Sequence, residues 1–574
     1  MRFAFAAIAA ALVACGGAPP PKAVESGPLV VAPARPAPTP PAATPPARPR
    51  EIAAWAHVDD VDGVLDFLGA GALAQSPWGG GFQSILELVD TRQPLDVAWV
   101  TDEKDGAPVV RVALRDTHAA IERMRVAFDV TEEGRRVHVK RKQHEGDDTF
   151  TCDFGSTRGP DVAICGSPHA FDRAVDWLQT APLPSPDESA RSGSAQPMVR
   201  AVVYGSAFAR ELAPGDDKAL ASMVGDLQNV SAELDREDPG IAFAVTARFS
   251  SVASKISAQI FEPANAEPPN DAFRRVWKDT SAAVFFAGGG AAPAWAEQLL
   301  GKDDASAKRK AAAATLARAF QKPVVAGYGV RADRARAAIA AVRSAKDPEK
   351  AMRALEKALE AYSIVGGAID VATAQSAMKD LAADWNAEET DAKVKKPPRW
   401  SIRAAPPALG LPRGSFFLDD RKAKADASPT LFFPDGATTW AVDGADDVAC
   451  ADAAKKLAAA KPSAADDALF ARKGAVMSGY LSSIVGAFAM HRLTLGTGAP
   501  APSALADIER DLAAPRLPLP FVLTTERQGD GGVARFEIHG ERAAYQMLGE
   551  HVGGVLGSGL AMLVAFAAIG LLTP

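Results

Sequence analysis

The segment from Ala18 to Arg50 decides where this chain can begin to fold. It holds twelve prolines, separated mainly by small or β-branched residues, and it contains no aromatic residue. Such a composition cannot form a core and favours extended polyproline II structure. At about 3.1 Å per residue, a segment of this length reaches roughly 100 Å. We therefore expect residues 15–50 to form a disordered tether and the folded body to begin near Glu51.

The residues before the tether have the pattern of an export signal. Arg2 is followed by an uninterrupted apolar run from Phe3 to Val13, as in the charged and hydrophobic regions of a signal peptide. The run closes in the sequence Leu-Val-Ala-Cys, which ends at Cys15. This ending resembles the lipobox of bacterial lipoproteins.

The lipobox resemblance implies a processing step and a destination. Residues 1–14 are then the signal peptide, and Cys15 becomes the first residue of the mature protein, with lipid on its thiol and amino groups. Gly16, rather than aspartate, follows the cysteine. In many Gram-negative bacteria this arrangement permits transport to the outer membrane, but the sorting rule varies between lineages.

Composition limits the classes to which the body can belong. The 574 residues are 48% hydrophobic and 23% charged, and the mean hydropathy is −0.03. These values exclude a largely disordered chain and a polytopic membrane protein. The formal net charge of −7 is too small to recruit nucleic acid, so we expect no nucleic-acid partner.

The body is too long for one hydrophobic core. About 520 residues follow the tether, and chains of this size normally divide into several domains. Segments rich in proline, serine and charge mark the candidate breaks, which are 181–197, 262–271, 387–398 and 496–503. We expect one module over residues 51–265 and a second over residues 275–545.

A short apolar strand that leads into an amphipathic helix recurs along the body. It begins at Ile52, Met198, Ser281, Val324 and Gly474. Hairpins of long alternating strands follow some of these units. The pattern predicts an α+β fold, with two related modules of mostly antiparallel sheet covered by helices and a C-terminal apolar helix.

The two halves match in order when they are laid side by side, which suggests an internal duplication. The aligned positions are Ile52 with Val324, Asp161 with Thr438, Met198 with Gly474, and Ile241 with Phe521. The hypothesis places the join between Glu262 and Pro323.

Three cysteines remain in the body. Two short strands, TFTCDF and DVAIC, follow each other across a turn near Gly159. If the two strands pair across this turn, Cys152 faces Cys165, so a cross-strand disulfide is geometrically allowed. The alternative is that both cysteines are buried free thiols. Cys450 lies in a helical pattern and is interpreted as a small core residue.

The C-terminal segment complicates the predicted localisation. Residues 552–572 carry no charge and one hydroxyl, and twenty-one such residues are long enough to span a bilayer. Four glycines in its first half and the lack of a following Lys or Arg argue against a simple span. Two interpretations of this segment remain: a membrane helix, and a terminal helix that is buried or self-associating.

Catalytic signatures are scarce. The sequence has no P-loop, no GxSxG, no HExxH, no CxxC and no EF-hand loop. A Ser-x-x-Lys pair at Ser376 and Lys379 lacks the companion motifs of penicillin-recognising enzymes. His57 precedes three aspartates and suggests a small metal site, but helix capping explains the same carboxylates. We expect no cofactor, no resident metal and no identifiable catalytic residue.

The run RRVHVKRK is the most basic stretch of the body. As a strand it places Arg136, His138, Lys140 and Lys142 on one face, which forms a cationic ribbon suited to anionic headgroups or an envelope polymer. The alternative is a solvated edge strand that the acidic residues just beyond it neutralise.

Three classes of function remain. We favour a non-catalytic, membrane-anchored envelope lipoprotein that binds or scaffolds an envelope protein or polymer. The alternatives are an envelope hydrolase with an unrecognised site and a carrier of apolar ligands. The membrane contacts are the lipid at Cys15 and the C-terminal segment, and the body faces the periplasm or the cell surface. The sequence does not decide between the inner and the outer membrane.

Overall fold

The computed structural model describes most of the folded body. It describes residues 48–68, 87–101, 106–141, 149–155, 161–180, 197–205, 226–237, 240–251, 261, 270–277, 280–287, 306–343, 354–355, 357–389, 398–420, 429–462, 470, 472, 474–482, 509 and 517–543. The signal peptide, Cys15, nearly all of the tether, Lys142 and the segment 552–572 lie outside the described residues.

The chain divides into two compact units. The N-terminal unit contains the described residues up to 205 and residues 228–245, and the C-terminal unit contains the described residues from 246 to 543 and residues 226–227. The module boundaries given by the sequence, 51–265 and 275–545, stay predictions.

The N-terminal unit is built mainly from strands. They are β1 (Ile52–Val58), β2 (Leu95–Thr101), β3 (Gly106–Ala113), β4 (Phe128–Glu133), β5 (Arg136–Arg141), β6 (Thr149–Phe154), β7 (Val162–Gly166), β8 (Val199–Tyr204), β9 (Leu227–Glu237) and β10 (Gly240–Phe249). Its helices are α1 (Val61–Leu68), α2 (Thr117–Ala127) and α3 (Pro168–Thr180). The boundary between the units falls inside β10, after Val245.

Helix α3 covers one face of these strands because its apolar residues recur at helical spacing. Phe171, Ala174 and Leu178 are fully buried and pack with apolar residues of β1, β2, β3, β7 and β8. Trp177 of α3 meets Trp55 of β1 edge to face, with ring centroids 5.5 Å apart. This cluster is the core of the N-terminal unit.

The C-terminal unit has a second set of strands. They are β11 (Ala282–Phe286), β12 (Val324–Gly329), β13 (Tyr362–Gly367), β14 (Trp400–Ala404), β15 (Phe416–Asp420), β16 (Thr430–Asp435), β17 (Thr438–Asp443), β18 (Ala475–Ser482), β19 (Pro518–Gln528) and β20 (Gly531–Glu541). Its helices are α4 (Asp271–Val276), α5 (Ala307–Ala317), α6 (Ala335–Arg343), α7 (Val371–Glu389) and α8 (Asp447–Ala459).

Both faces of the sheet are covered in this unit, since successive residues of a strand point to opposite sides. Trp440 of β17 belongs to a cluster with α4 and α8, whereas its neighbour Ala441 belongs to a cluster with α5 and α7. The Trp440 ring fits because Gly366 lies opposite it on β13: a Cβ at Gly366 would lie 2.4 Å from that ring.

The strands follow the same order in both units. In the N-terminal unit the order is β10-β9-β8-β1-β2-β3-β7-β6-β5-β4, and in the C-terminal unit it is β20-β19-β18-β11-β12-β13-β17-β16-β15-β14. Strand β1 therefore corresponds to β11, so the pairing of Ile52 with Val324 does not join corresponding strands, and neither does that of Ile241 on β10 with Phe521 on β19. The other two predicted pairings, at the starts of β7 and β17 and of β8 and β18, do join corresponding strands. Common ancestry of the two units stays a prediction.

The predicted α+β fold class is wrong, whereas the predicted C-terminal apolar helix lies outside the described residues. The described residues contain twenty strands against eight α-helices, and every ladder described here is antiparallel, so the protein is mainly antiparallel β-structure. Among the residues that the structure describes, no helix combines the length and apolarity needed to cross a membrane.

The prediction of the fold class failed because some strands lack an apolar pattern in their sequence. Strand β9 reads LQNVSAELDRE and resembles a polar helix in sequence. In the structure its alternating polar residues are buried, namely Asn229, Ser231, Glu233 and Asp235. Tertiary burial therefore outweighs local sequence preference in this strand.

Candidate functional site

A row of charged side chains crosses five neighbouring strands of the N-terminal unit. The strand registers place Glu233 opposite Arg200, Arg200 opposite His57, His57 opposite Asp96, and Asp96 opposite Arg111. Directly opposed residues project from the same face of a sheet. Asp96 and Arg111 are buried, with 1% and 4% exposed, as is Glu233, whereas His57 and Arg200 are partly exposed.

Ionic contacts neutralise the row internally. His57 Nδ1 donates to Asp96 Oδ1 at 2.7 Å, and Arg111 Nε donates to Asp96 Oδ2 at 2.6 Å. Arg200 Nε lies 3.1 Å from a carboxylate oxygen of Glu233. Because both oxygens of Asp96 are engaged, this carboxylate is held as a structural counter-ion.

The three aspartates after His57 do not assemble a metal site with it. Asp60 caps α1 by accepting from the backbone nitrogen of Gly63 at 2.7 Å, and Asp59 lies 3.7 Å from His57 Nε2. Asp62 is exposed in the first turn of α1, where its charge complements the helix dipole. Over the described ranges, no group of three or more His, Cys, Asp or Glu side chains is suited to hold a metal ion.

Cys152 and Cys165 form a disulfide. They lie directly opposite each other on β6 and β7, with Cα atoms 4.1 Å apart. Both residues are buried. The register also places Phe154 opposite Ala163, as the spacing of the two strands predicts. Cys450 is a buried free thiol on α8, and burial raises its pKa to about 12.

The basic run forms β5, with Val137 and Val139 buried on one face and the cations on the other. Arg136, His138 and Lys140 share that face, and Lys142 lies outside the described residues. About half of the Arg136 and His138 side chains is exposed. The structure therefore brings three of the four predicted anion-binding residues together on one strand face.

Acidic residues lie opposite these cations on the flanking strands. Glu133 on β4 and Asp153 on β6 are opposite Arg136, and Asp129 on β4 is opposite Lys140. Asp172 of α3 lies 3.8 Å from Arg136. This face of β5 therefore carries alternating charge and not only cations. Because β5 pairs with both β4 and β6, it is not the edge strand of the alternative interpretation, and the acidic residues just beyond the run lie outside the described residues.

The Ser-x-x-Lys pair lies on α7, where Ser376 and Lys379 are both exposed. His169 is exposed near the start of α3.

The C-terminal unit has a cleft between the end of α4, the start of β13 and the last turns of α8. Its empty volume is about 270 Å³, which includes open solvent. The floor is apolar and the rim is polar, and the lining includes Val276, Ile364, Leu457, Arg275, Lys456 and Tyr362. Val276, Ile364 and Leu457 belong to the main core cluster of this unit.

The two cations of the cleft differ in how they are held. Arg275 Nη2 donates to Asp435 Oδ2 at 2.7 Å, and Trp440 Nε1 donates to the same oxygen at 3.3 Å. Arg275 is therefore fixed, with its Nε and Nη1 groups left without a hydrogen-bond partner among the described residues. Lys456 is exposed on α8 and has no ion-pair partner in the described part of the chain.

A second ionic cluster in the C-terminal unit surrounds Glu537 of β20. Arg472 and His539 both donate to Glu537 Oε2, the latter from Nε2 at 3.3 Å. Burial alone raises the pKa of Glu537, but hydrogen bonds and charge from His539 and Arg472 outweigh it and hold the pKa at about 2. This carboxylate is ionised at neutral pH.

The sequence contains a signal for the charged row. His57, Asp96, Arg111 and Arg200 are each the lone charged or ionisable residue inside an otherwise apolar strand core, as in AWAHV, LDVAWV, VVRVAL and MVRAVV. A lone charge in a buried strand requires a partner on a neighbouring strand. The cleft has no such signal, because its residues come from three distant segments.

Comparisons with known proteins do not identify the chain. No family model matches it, and no curated protein is significantly similar to it. Structures of TP0453 in crystal forms IV and III match with TM-scores of 0.25 and 0.24, at 8% and 9% sequence identity. They cover 34% and 35% of this chain, and 76% and 80% of the TP0453 chain. A similarity this weak supports no conclusion about fold or function.

Proposed function

We propose that this protein is an exported lipoprotein, anchored in the bacterial cell envelope, whose folded body acts as a non-catalytic binding or scaffold module. The apolar run before Cys15 and the lipobox-like ending support export and lipidation. The proline-rich segment after Cys15 supports a tether that holds the body away from the membrane. The body then faces the periplasm or the cell surface.

The disulfide between Cys152 and Cys165 is the observation that carries this proposal. Disulfides persist in oxidising compartments such as the periplasm and are rare in the bacterial cytosol. The bond joins two buried strands of the N-terminal unit, so it forms part of the folded core. A structural disulfide and an export signal in one chain support the same compartment.

The two described ionic clusters offer no general base. Asp96 and Glu537 are each held by two cationic or imidazole partners, so neither carboxylate is available as a general base. No observation in the described residues favours a hydrolase, and the cleft of the C-terminal unit leaves too little space for a long apolar ligand.

Phase separation in a cloud-point detergent tests the anchor. We expect the full chain to enter the detergent phase, and Cys15→Ala to move to the aqueous phase when the segment 552–574 is also removed. The single Cys15→Ala variant and the truncation alone are the matched controls, because they separate the lipid from the C-terminal segment. Mass spectrometry of the mature N-terminal peptide should find the lipid on Cys15.

Two outcomes count against the proposal. An unmodified Cys15 in an otherwise exported chain would overturn lipidation. Reduced, alkylatable Cys152 and Cys165 in protein taken directly from cells would overturn the oxidising compartment. Fractionation of inner and outer membranes then assigns the anchored protein to one of them.

A further inference from the structure

Strands β4 and β14 lie at corresponding ends of the strand order in their units. Among the described strands, β4 pairs only with β5, and β14 pairs only with β15. An edge strand leaves every second backbone N–H and C=O group without a strand partner, and these groups can pair with another chain. Proteins block such edges with charge, proline, bulges or covering segments.

The edge at β4 is blocked by charge. Its six residues include Asp129, Glu132 and Glu133, and all three are exposed. A second copy of β4 at this edge would bring these carboxylates together, and opposed like charges destabilise a ladder.

The edge at β14 has no such protection in its own sequence. The strand reads WSIRA, without an acidic residue or a proline, and its register with β15 has no bulge. Its one charged side chain, Arg403, pairs with Asp419 on β15 and with Asp447 on α8. The composition of β14 therefore leaves it open to pairing with another strand.

Asn386 of α7 binds the open side of β14 at Trp400. The backbone nitrogen of Trp400 donates to Asn386 Oδ1 at 2.8 Å, and Asn386 Nδ2 donates to the carbonyl oxygen of Trp400 at 2.8 Å. Two directly opposed residues of an antiparallel ladder exchange the same reciprocal pair of bonds. The side-chain amide of Asn386 therefore substitutes for one residue of a neighbouring strand.

Packing holds this amide in place. The ring of Trp385, the residue before Asn386 on α7, lies 5.1 Å from the ring of Trp400. Both rings pack against the core cluster that contains residues of α5 and α7. The position of Asn386 is therefore fixed by the core and not by its two hydrogen bonds alone.

The direction of the backbone groups shows what else this edge offers. Because Trp400 turns its N–H and C=O groups away from β15, Ile402 and Ala404 do the same. Ala405 N donates to the carbonyl oxygen of Ser415 on the β15 side, which fits this alternation. Within the described residues, the N–H and C=O groups of Ile402 and Ala404 have no backbone partner.

A second copy of β14 is complementary to this edge. Antiparallel pairing centred on Ile402 places Trp400 opposite Ala404 of the second copy, and Ser401 opposite Arg403, so no like charges meet. Hydrogen bonds would form at the central Ile402 pair and at the Trp400–Ala404 pair on either side of it. Since Asn386 already occupies the backbone groups of Trp400, it blocks both outer pairs and leaves only the central one.

We propose that Asn386 keeps β14 from pairing with β14 of a second copy, by taking the place of a strand at the edge of the C-terminal unit. The proposal goes beyond the binding role proposed above. It depends neither on the lipid at Cys15 nor on any ligand, because the contact lies within the C-terminal unit.

Sedimentation velocity of the full chain over a series of concentrations tests the proposal. A Cys15→Ala background in non-ionic detergent removes the lipid from every variant alike. We expect Asn386→Ala to raise the self-association constant at least about tenfold over the parent, because the outer pairs of hydrogen bonds become available. Alanine favours a helix more than asparagine does, so α7 should persist.

Two further variants separate edge pairing from other causes of association. Gln375→Ala removes another half-buried amide of α7, for which no contact with β14 is described, and should leave association unchanged. Ala404→Pro removes an N–H that points away from β15, so it should reverse the effect of Asn386→Ala without breaking the ladder between β14 and β15. Association caused by unfolding would not be reversed by Ala404→Pro.

Three results would overturn the proposal. They are equal self-association of Asn386→Ala and the parent, an equal increase in Gln375→Ala, and an increase in Asn386→Ala that Ala404→Pro does not reverse. Each leaves the export and lipidation of the chain untouched, since those are tested on Cys15.

Discussion

His57 Nδ1 lies 2.7 Å from Asp96 Oδ1, across the ladder between the first two strands of the N-terminal unit. Arg111 engages the other oxygen of Asp96 from the next strand. One buried carboxylate therefore connects three strands through side chains, in addition to their backbone hydrogen bonds. A shift of one residue in either ladder would turn the partner of Asp96 on that strand to the opposite face of the sheet.

We expect Asp96→Asn to destabilise the N-terminal unit by roughly 3–5 kcal/mol, because the substitution leaves the buried Arg111 guanidinium without a counter-ion. Urea unfolding followed by tryptophan fluorescence measures this change. Asp90→Asn is the matched control, since Asp90 pairs with an Arg92 side chain that is 80% exposed, and it should cause no measurable loss. Equal stability of the two variants would contradict the role assigned to Asp96.

The disulfide makes a separate contribution to the same unit. Cys152 and Cys165 are 13 residues apart, and closing a loop of this length stabilises the fold by about 3 kcal/mol in the chain-entropy model. We expect Cys152→Ser combined with Cys165→Ser to lower the free energy of unfolding by this amount. A reducing agent should have the same effect on the parent protein and none on the double variant.

Cys450 supplies the control for that experiment. Burial raises the pKa of its thiol to about 12, so the reactive thiolate is scarce in the native protein at neutral pH. Cys450→Ser should leave the response to reducing agent unchanged. A response that disappears with Cys450 would show that the effect came from this thiol and not from the disulfide.

The sequence was most informative where apolar spacing and turn residues agree. The strands around Cys152 and Cys165 have the predicted register, because a glycine-containing turn leaves few ways to pair two short apolar strands. The faces of β5 also have the predicted pattern, with Val137 and Val139 buried. In both places local alternation suffices to specify the structure.

In other parts of the chain, the structure depends on pairing between residues that are distant in the sequence. Strand β9 buries Ser231 and Glu233, which single-sequence patterns place in a solvated helix or loop. The alignment of Ile52 with Val324 compared the first strand of one unit with the second strand of the other, since both are short apolar runs before a helix. The cleft was invisible because Arg275, Tyr362 and Lys456 meet only after the sheet has formed.

Glu537 makes the stability of the C-terminal unit depend on pH. Its pKa is lowered from 4.5 to about 2 in the folded state, so its contribution is fully present above pH 4.5. The contribution is lost as the pH falls from about 4.5 to about 2, because protonation then removes the partner of Arg472 and His539. A shift of this size corresponds to about 3 kcal/mol before solvent screening, and we expect about 2 kcal/mol.

Unfolding midpoints measured across this pH range check the prediction. Glu537→Gln should flatten the acid limb of the stability profile and lower stability at neutral pH. Glu526→Gln alters an exposed residue of the neighbouring strand β19 and should leave the profile unchanged. If the stability of Glu537→Gln falls with pH as steeply as that of the parent protein, Glu537 is excluded as the titrating group.

The charged face of β5 provides the last prediction. Because Glu133 and Asp153 lie opposite Arg136, Arg136→Glu should place three carboxylates side by side and cost roughly 0.2–1 kcal/mol for each like-charge contact. Arg136→Gln removes the cation without adding a like charge, so it should be less destabilising. Cosedimentation with anionic phospholipid vesicles, in a Cys15→Ala background, should be the same for both variants and the parent. A fall in vesicle binding that follows the charge at position 136 would instead assign the anion-binding role to this strand.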